Sequence, residues 1–156
     1  NCLISIWNML ITAGSAVFLD RWGRKPMLIT SLIGMTVSCL GLFYGIHSNG
    51  GPLTVVSIFT YVGSFAIGCG PIPFLLISEV SQMEVKPIAQ SWATNCNWIS
   101  VFIIGVMFPI LNESIGSFVY LIFGGIAALF ALFVVQHIPE TMGKSTYASV
   151  WGLLPE

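Results

Sequence analysis

Charged side chains are scarce in this chain of 156 residues. Asp, Glu, Lys and Arg make up 7% of it, whereas ordinary soluble domains carry about 25%. Five basic and six acidic residues cannot cover the surface of a soluble fold of this length, and apolar residues reach 56%. Most of the surface must therefore face lipid.

Two kinds of site also lack their usual markers. The net charge of −1 gives no basic surface for nucleic acid. The four cysteines lie in apolar stretches without CxxC spacing, which argues against a metal site and against a disulfide scaffold.

The remaining charges and turns divide the chain at regular intervals. A membrane-crossing helix needs about 20 apolar residues. The long uncharged stretch 26–78 is broken at residues 47–52 (HSNGGP), a strong turn signal. The sequence therefore predicts an all-α membrane protein with five transmembrane helices and a very short last link, residues 112–114. The spans are about 1–19, 27–46, 54–78, 88–111 and 115–138.

The chain begins NCLI, without Met and without the basic region or cleavage site of a signal peptide. We interpret it as the interior of a longer protein that was cut off upstream.

The basic residues set the orientation. All five fall in links or in the tail on one side of the predicted bundle, and basic residues mark the cytoplasmic side. We therefore expect a cytoplasmic C-terminus and cytoplasmic positions for Arg21, Arg24, Lys25, Lys86 and Lys144.

A membrane enzyme would need a nucleophile with a base, or a metal cluster, at membrane depth. No predicted span contains Asp, Glu, Lys or Arg, and no HExxH sequence is present. We expect no enzymatic activity, no catalytic residues, no metal and no cofactor.

Glycines and prolines interrupt the third span. Pro71 and Pro73 lack amide hydrogens, so two carbonyls one turn earlier lose their helical partners. Such backbone is tolerated in a membrane where protein or a water-filled cavity surrounds it. Two interpretations are open: an ordinary proline kink, or an interrupted helix that serves a substrate site or a hinge.

Amide side chains lie inside the spans at Asn8, Asn95 and Asn97. An amide offers both donors and an acceptor, as sugar hydroxyls require, without burying a charge. Trp98 adds an aromatic face beside Asn97. The alternative is that these amides form hydrogen bonds between helices.

The first link, residues 20–26 (DRWGRKP), is dense in charge. Its basic residues can pair with carboxylates at other cytoplasmic helix ends, such as Glu79 and Glu140, and hold that side closed. The alternative is a simple topology anchor.

Several motifs resemble the sugar porter branch of the major facilitator superfamily. Residues 20–26 are similar to its D/E-R-x-G-R-R/K loop. Residues 68–74 (GCGPIPF), followed by Glu79, resemble the G-x-G-P-I-P-W/F…E motif of its tenth helix. Residues 139–144 (PETMGK) resemble the P-E-T-K-G motif after its twelfth helix, and residues 97–98 match an Asn-Trp pair of its eleventh. The order and spacing fit over the whole chain.

This resemblance implies that residues 1–156 are a partial C-terminal transmembrane domain, equivalent to helices 8–12 of a twelve-helix major facilitator fold. The implied function is part of a hexose-type sugar transporter that works by alternating access and is not competent alone. The alternative is a non-transporting membrane protein on the same fold: a truncated remnant, a partner subunit or a sugar sensor.

The resemblance also assigns roles to residues, in three groups. It implies substrate binding by Asn8, Phe74, Asn97 and Trp98. It implies a gating break at Gly68, Gly70, Pro71 and Pro73. It implies a cytoplasmic charge network of Asp20, Arg21, Arg24, Lys25, Glu79, Lys86 and Glu140.

The chain departs from the family pattern at a few positions. Ala66 replaces a common Glu, Val101 a common Asn, and Met142 the usual Lys of the tail motif. The first two remove polar contacts, so the resemblance does not identify the sugar.

The implied partners are a small-molecule sugar, the lipid bilayer and the missing N-terminal transporter domain. Protons are a further possible partner, since they are co-transported by proton-coupled relatives, whose key carboxylate lies in the first helix of the family fold. The implied location is a multi-pass position in the plasma membrane or in a vacuolar or other organelle membrane.

Overall fold

The computed structural model describes residues 2–144 and 150–152, and for residues 16–20 it describes the backbone alone. A π-helical turn, Phe65–Cys69, stands between the third and fourth helices. The α-helices of the described part are α1 (Cys2–Trp22), α2 (Arg24–His47), α3 (Gly51–Ser64), α4 (Ile72–Val80), α5 (Lys86–Ile115) and α6 (Phe118–His137).

Four segments are long and apolar enough to cross a membrane: α2, the combined segment Gly51–Val80, α5 and α6. Helix α1 is 21 residues long and is apolar over Cys2–Ser15, the part before the residues of which the backbone alone is described. No strand occurs in the described residues. The predicted all-α membrane fold is confirmed, with α1 as its fifth long helix.

The last link differs from the predicted one. Helices α5 and α6 meet at residues 116–117 rather than at 112–114. Asn112 and Glu113 are exposed and remain helical, because a helix can extend about one turn beyond the hydrocarbon, where water solvates polar side chains. Gly116 then ends the helix with φ +57, and its N–H donates to the Asn112 carbonyl oxygen at 3.0 Å.

Helix α2 is the centre of the fold and packs against both α3 and α6. Lipid is as apolar as the side chains it surrounds, so helices in a membrane associate through close van der Waals packing rather than through exclusion of water. The buried apolar cluster joins α2, α4 and α6 and consists of Met27, Leu28, Leu32, Ile72, Leu76, Ala131 and Val134.

Two glycines allow α3 to approach α2 closely. A Cβ atom at Gly45 would lie 2.8 Å from Thr54 Oγ1 and 3.0 Å from the Thr54 backbone nitrogen. One at Gly41 would lie 2.5 Å from Ser57 Oγ. The first part of the third span, α3, is therefore held closely against the central helix.

Helix α5 has no buried residue along its 30 positions. Among the described helices it contacts only α4 and α6. Its apolar side chains, such as Trp92, Phe102 and Ile110, are more than half exposed. This surface is suited to lipid and to further transmembrane helices.

We predict that Gly45→Ala lowers the stability of the complete protein that carries this chain. The added methyl group meets Thr54 backbone atoms, which cannot rotate away, and overpacking of this kind costs about 1–3 kcal/mol. Melting in detergent measures the effect. The matched control is Gly125→Ala on α6, where a Cβ meets nothing within 4 Å. Equal melting of the two variants would contradict the close α2–α3 approach.

Candidate functional site

An ion pair joins the start of α2 to the end of α4. Arg24 Nε lies 3.2 Å from Glu79 Oε1, and both side chains are about one-fifth exposed. The other Glu79 oxygen accepts a hydrogen bond from the Thr141 hydroxyl. The carboxylate therefore connects the first link, the interrupted third span and the C-terminal tail.

Glu140 binds the backbone at the start of α2. Its Oε1 accepts from Arg24 N at 3.0 Å and its Oε2 from Lys25 N at 3.1 Å. Amides in the first turn of a helix lack partners inside the helix, and the helix dipole makes this end positive, so a carboxylate is favoured there. The sequence suggested pairing of Glu140 with basic side chains, and the structure shows pairing with backbone amides instead.

Gly23 makes this contact possible. It is buried and takes φ +90, a conformation that favours glycine. A Cβ atom there would lie 2.9 Å from Glu140 Oε2. A larger residue at this position would push the carboxylate away from its present place beside the helix.

The other members of the predicted charge network are less closely joined. Lys25 Nζ donates to the Val135 carbonyl oxygen at 2.9 Å rather than to a carboxylate. Arg21 is exposed at the end of α1, and Lys86 begins α5. The side chain of Asp20 lies outside the described residues.

The tail also contacts the end of α4, which the sequence did not indicate. Trp151 Nε1 donates to the Val80 carbonyl oxygen at 3.3 Å. Val150 beside it is 4% exposed.

The interruption predicted at Gly68, Gly70, Pro71 and Pro73 is present. The π-helical turn ends one residue before Gly70, whose N–H donates to the Phe65 carbonyl oxygen at 2.9 Å. Helix α4 starts directly after Pro71. A role of these residues in gating stays a prediction.

Hydroxyl groups from two neighbouring helices bind this turn. Ser31 Oγ donates to the Ser64 carbonyl oxygen at 2.5 Å and accepts from Cys69 N at 3.1 Å. Ser15 Oγ lies 3.4 Å from the Ala66 carbonyl oxygen. Sequence reasoning missed both serines, since nothing in the sequence distinguishes them from other hydroxyl residues of apolar helices.

Gly68 lets the turn lie directly on α2. A Cβ atom at Gly68 would be 2.6 Å from Ser31 Cβ and 2.8 Å from the Met27 carbonyl oxygen. Any larger residue would push the turn away from the central helix.

Asn8 lines an open groove between α1 and α3. The groove has a volume of about 710 Å³, and Ser5, Thr12 and Val62 also line it. The Thr12 hydroxyl donates to the Asn8 backbone oxygen at 2.8 Å and lies 3.3 Å from Asn8 Oδ1.

The other predicted sugar residues lie elsewhere. Asn97 and Trp98 are exposed on α5, with Trp98 66% accessible, and Phe74 is 37% accessible on α4. Helices α1 and α5 do not contact each other in the described part of the chain. The structure therefore does not bring Asn8 and Asn97 into one pocket, and their role in sugar binding stays a prediction.

Asn95 differs from Asn97 in having a partner on its own helix. Its Nδ2 donates to the Ser91 carbonyl oxygen at 3.0 Å. This bond runs along α5 and not between helices.

Comparison with known proteins gives consistent matches. The family model for "Sugar (and other) transporter" matches residues 1–151. A probable metabolite transport protein of Saccharomyces cerevisiae is 43% identical over 151 residues, which is 97% of this chain and 31% of that protein. The facilitated glucose transporter member 2 of solute carrier family 2 from Mus musculus is 31% identical over 143 residues, which is 88% of this chain and 27% of the relative.

Solved transporter structures are also similar to this chain. The inward-open xylose transporter XylE from E. coli is similar with a TM-score of 0.89 and 27% identity, over 98% of this chain and 35% of XylE. The chain spans about a third of the length of the proteins it matches.

We predict that Gly23→Ala destabilises the complete protein more than Gly143→Ala does. Both glycines have positive φ, and the strain of such a conformation costs about 1–3 kcal/mol at either site. Only at Gly23 does the new methyl group also meet a carboxylate, since a Cβ at Gly143 meets nothing within 4 Å. Melting in detergent compares the two variants. Equal losses would show that Glu140 does not depend on the glycine.

Proposed function

Because this chain belongs to the sugar (and other) transporter family of the major facilitator superfamily, we propose that it forms part of a transmembrane sugar transporter that works by alternating access. In this mechanism two helix bundles rock about a binding site near the middle of the membrane. The chain supplies five helices of one bundle and no catalytic chemistry.

The interrupted third span is the observation that carries this proposal. A helix that only anchors a protein in lipid gains nothing from a break that leaves backbone groups to be satisfied by neighbours. Here α3 is held on α2 by close packing, whereas α4 is a separate piece of nine residues. The third span therefore has two separately held parts: α3 packs closely on α2, and α4 is held by Ile72 and Leu76 in the buried cluster. We propose that α4 is the part that moves, because the break separates it from α3.

Glu79 lies at the end of α4 that is farther from the break, where a moving helix would form and break its contacts. Opening the cytoplasmic side requires α4 to leave the first link, and this separates Arg24 from Glu79. Solvent-exposed ion pairs contribute about 0–1 kcal/mol, and this pair, about one-fifth exposed when closed, becomes exposed when the gate opens. Water then solvates both charges and limits the cost of opening.

The sugar site is proposed at the face where α1, α4 and α5 meet the rest of the transporter. Asn8 and Asn97 supply amide donors and acceptors, and Phe74 and Trp98 supply aromatic faces for the sugar's C–H surface. Their exposure supports this, since a site between two bundles is open when one bundle is viewed alone. Val101, exposed on α5, leaves one position of this face without a polar group, whereas Ala66 is buried in the π-helical turn.

A hexose or pentose is the proposed substrate class. Two of the matched proteins are named as a facilitated glucose transporter and a xylose transporter. One XylE structure is described as a proton:xylose symporter, so proton coupling belongs to the same proposal as an alternative to facilitated transport.

The proposed orientation places the charge cluster and the C-terminus in the cytoplasm. It is supported by the basic residues at this end, by Glu140 bound to the start of α2, and by Trp151 bound to the end of α4. The remaining partner is the N-terminal bundle that completes the cavity. The membrane is that of the cell surface or of an organelle such as the vacuole.

We predict that Asn97→Ala raises the KM for sugar uptake by the complete protein about three- to tenfold, the loss of one hydrogen bond to the substrate. Uptake of radiolabelled glucose and xylose into reconstituted vesicles measures this. The matched control is Asn95→Ala on the same helix, which loses only a bond to its own backbone and leaves the KM unchanged.

Equal KM values for the two variants would show that Asn97 does not contact the sugar. If the complete protein takes up neither sugar but binds one of them, the alternative of a sugar sensor replaces transport.

A further inference from the structure

Ser31 bonds differently from the other serine and threonine residues of α2. Thr30, Thr36 and Ser38 each donate to a carbonyl oxygen four residues earlier on the same helix, at 2.7–2.9 Å. This is the usual arrangement for a hydroxyl in an apolar helix. Ser31 instead reaches across to the interrupted span and bonds there twice.

The two bonds join the ends of the π-helical turn. Ser31 Oγ donates to the Ser64 carbonyl oxygen and accepts from the Cys69 amide, two groups five residues apart that bracket the turn. The side chain is 1% exposed, so water does not compete for these partners. One hydroxyl on the central helix therefore fixes both ends of the turn.

The surroundings make the position of the turn depend on this contact. Pro71 and Pro73 lack amide hydrogens, so neither residue can donate a backbone hydrogen bond that would strengthen the turn before them. Gly68 brings the turn against Ser31 Cβ and Met27. The next hydroxyl contact, from Ser15 to the Ala66 carbonyl oxygen, is longer at 3.4 Å.

We propose that Ser31 is a positioning residue for transport: its hydroxyl holds the π-helical turn on α2 and so sets the point about which α4 swings. Close packing keeps α3 on α2 before the turn, whereas after it α4 is held by Ile72 and Leu76 in the buried cluster and by the Arg24–Glu79 pair. The inference rests on the proposed function, since only a transporter needs α4 to swing.

The test compares Ser31→Ala with Ser38→Ala in the complete protein. Both serines are buried on α2, but only Ser31 bonds to another helix. The first readout is amide hydrogen exchange in residues 65–70. The second is the turnover of sugar uptake per folded molecule, measured with KM in reconstituted vesicles.

We expect Ser31→Ala to speed amide exchange in the turn about five- to tenfold, as the loss of a buried hydrogen bond implies. We also expect turnover to fall about threefold or more with KM changed less than about twofold, because the chemistry of the sugar site is untouched and only the conformational step is altered. Ser38→Ala should change neither quantity.

Unchanged exchange in Ser31→Ala would show that the hydroxyl does not hold the turn. Faster exchange with unchanged turnover would reduce Ser31 to a structural role. If Ser31→Ala does not fold, Ser31→Cys, which keeps a weaker donor of similar size, is measured against Ser38→Cys with the same criteria. A complete protein that moves no sugar would refute the proposed function, while the exchange comparison would still decide whether Ser31 holds the turn.

Discussion

Inside a bilayer every backbone amide and carbonyl must find its partner within the protein, and this constraint governs the rest of the structure. Four of the five long segments are continuous helices, although Pro109 inside α5 removes one backbone donor from that helix. The third is interrupted beside Pro71 and Pro73, which lack amide hydrogens. There the hydroxyls of Ser15 and Ser31 supply partners from α1 and α2. The break is therefore built by three segments together.

Two carboxylates at the charged end serve different purposes. Glu140 accepts from two backbone amides at the start of α2, directly beside Gly23, so it attaches the tail to the central helix. Glu79 bonds to the Arg24 side chain and to Thr141. A contact between two side chains can break when either side chain rotates, whereas the amides that Glu140 binds are fixed in the helix. The first link and the tail are thus joined at the start of α2, and under the proposed function α4 is the element that moves against them.

Much of this fold could be predicted from the sequence because lipid imposes a simple rule: apolar runs of sufficient length cross, and charges mark the ends. The helix break was also predictable, because two glycines and two prolines lie within residues 68–73, whereas Pro109 alone leaves α5 continuous. The partners of the break were not, because Ser31 and Ser38 look alike in sequence and differ only in which helix lies opposite. The hydrogen-bond partners of Glu140 were not predicted, because nearly every residue has a backbone amide and the sequence does not show which of them lies near a carboxylate. Asn8 and Asn97 were predicted to share a site, but they lie on helices that do not touch in the described part, so joining them takes elements beyond these five helices.

The central claim is that lipid surrounds five crossings whose charged links share one side. Its most direct test is cysteine labelling of the complete protein with a membrane-impermeant maleimide, after the native cysteines are replaced by serine. Single cysteines at Arg21, Lys144 and Ser48, all exposed positions, report the first link, the tail and the opposite end of α2. The account predicts that Arg21→Cys and Lys144→Cys label only from the cytoplasmic side and Ser48→Cys only from the other. Labelling of Arg21→Cys and Lys144→Cys from opposite sides would contradict it.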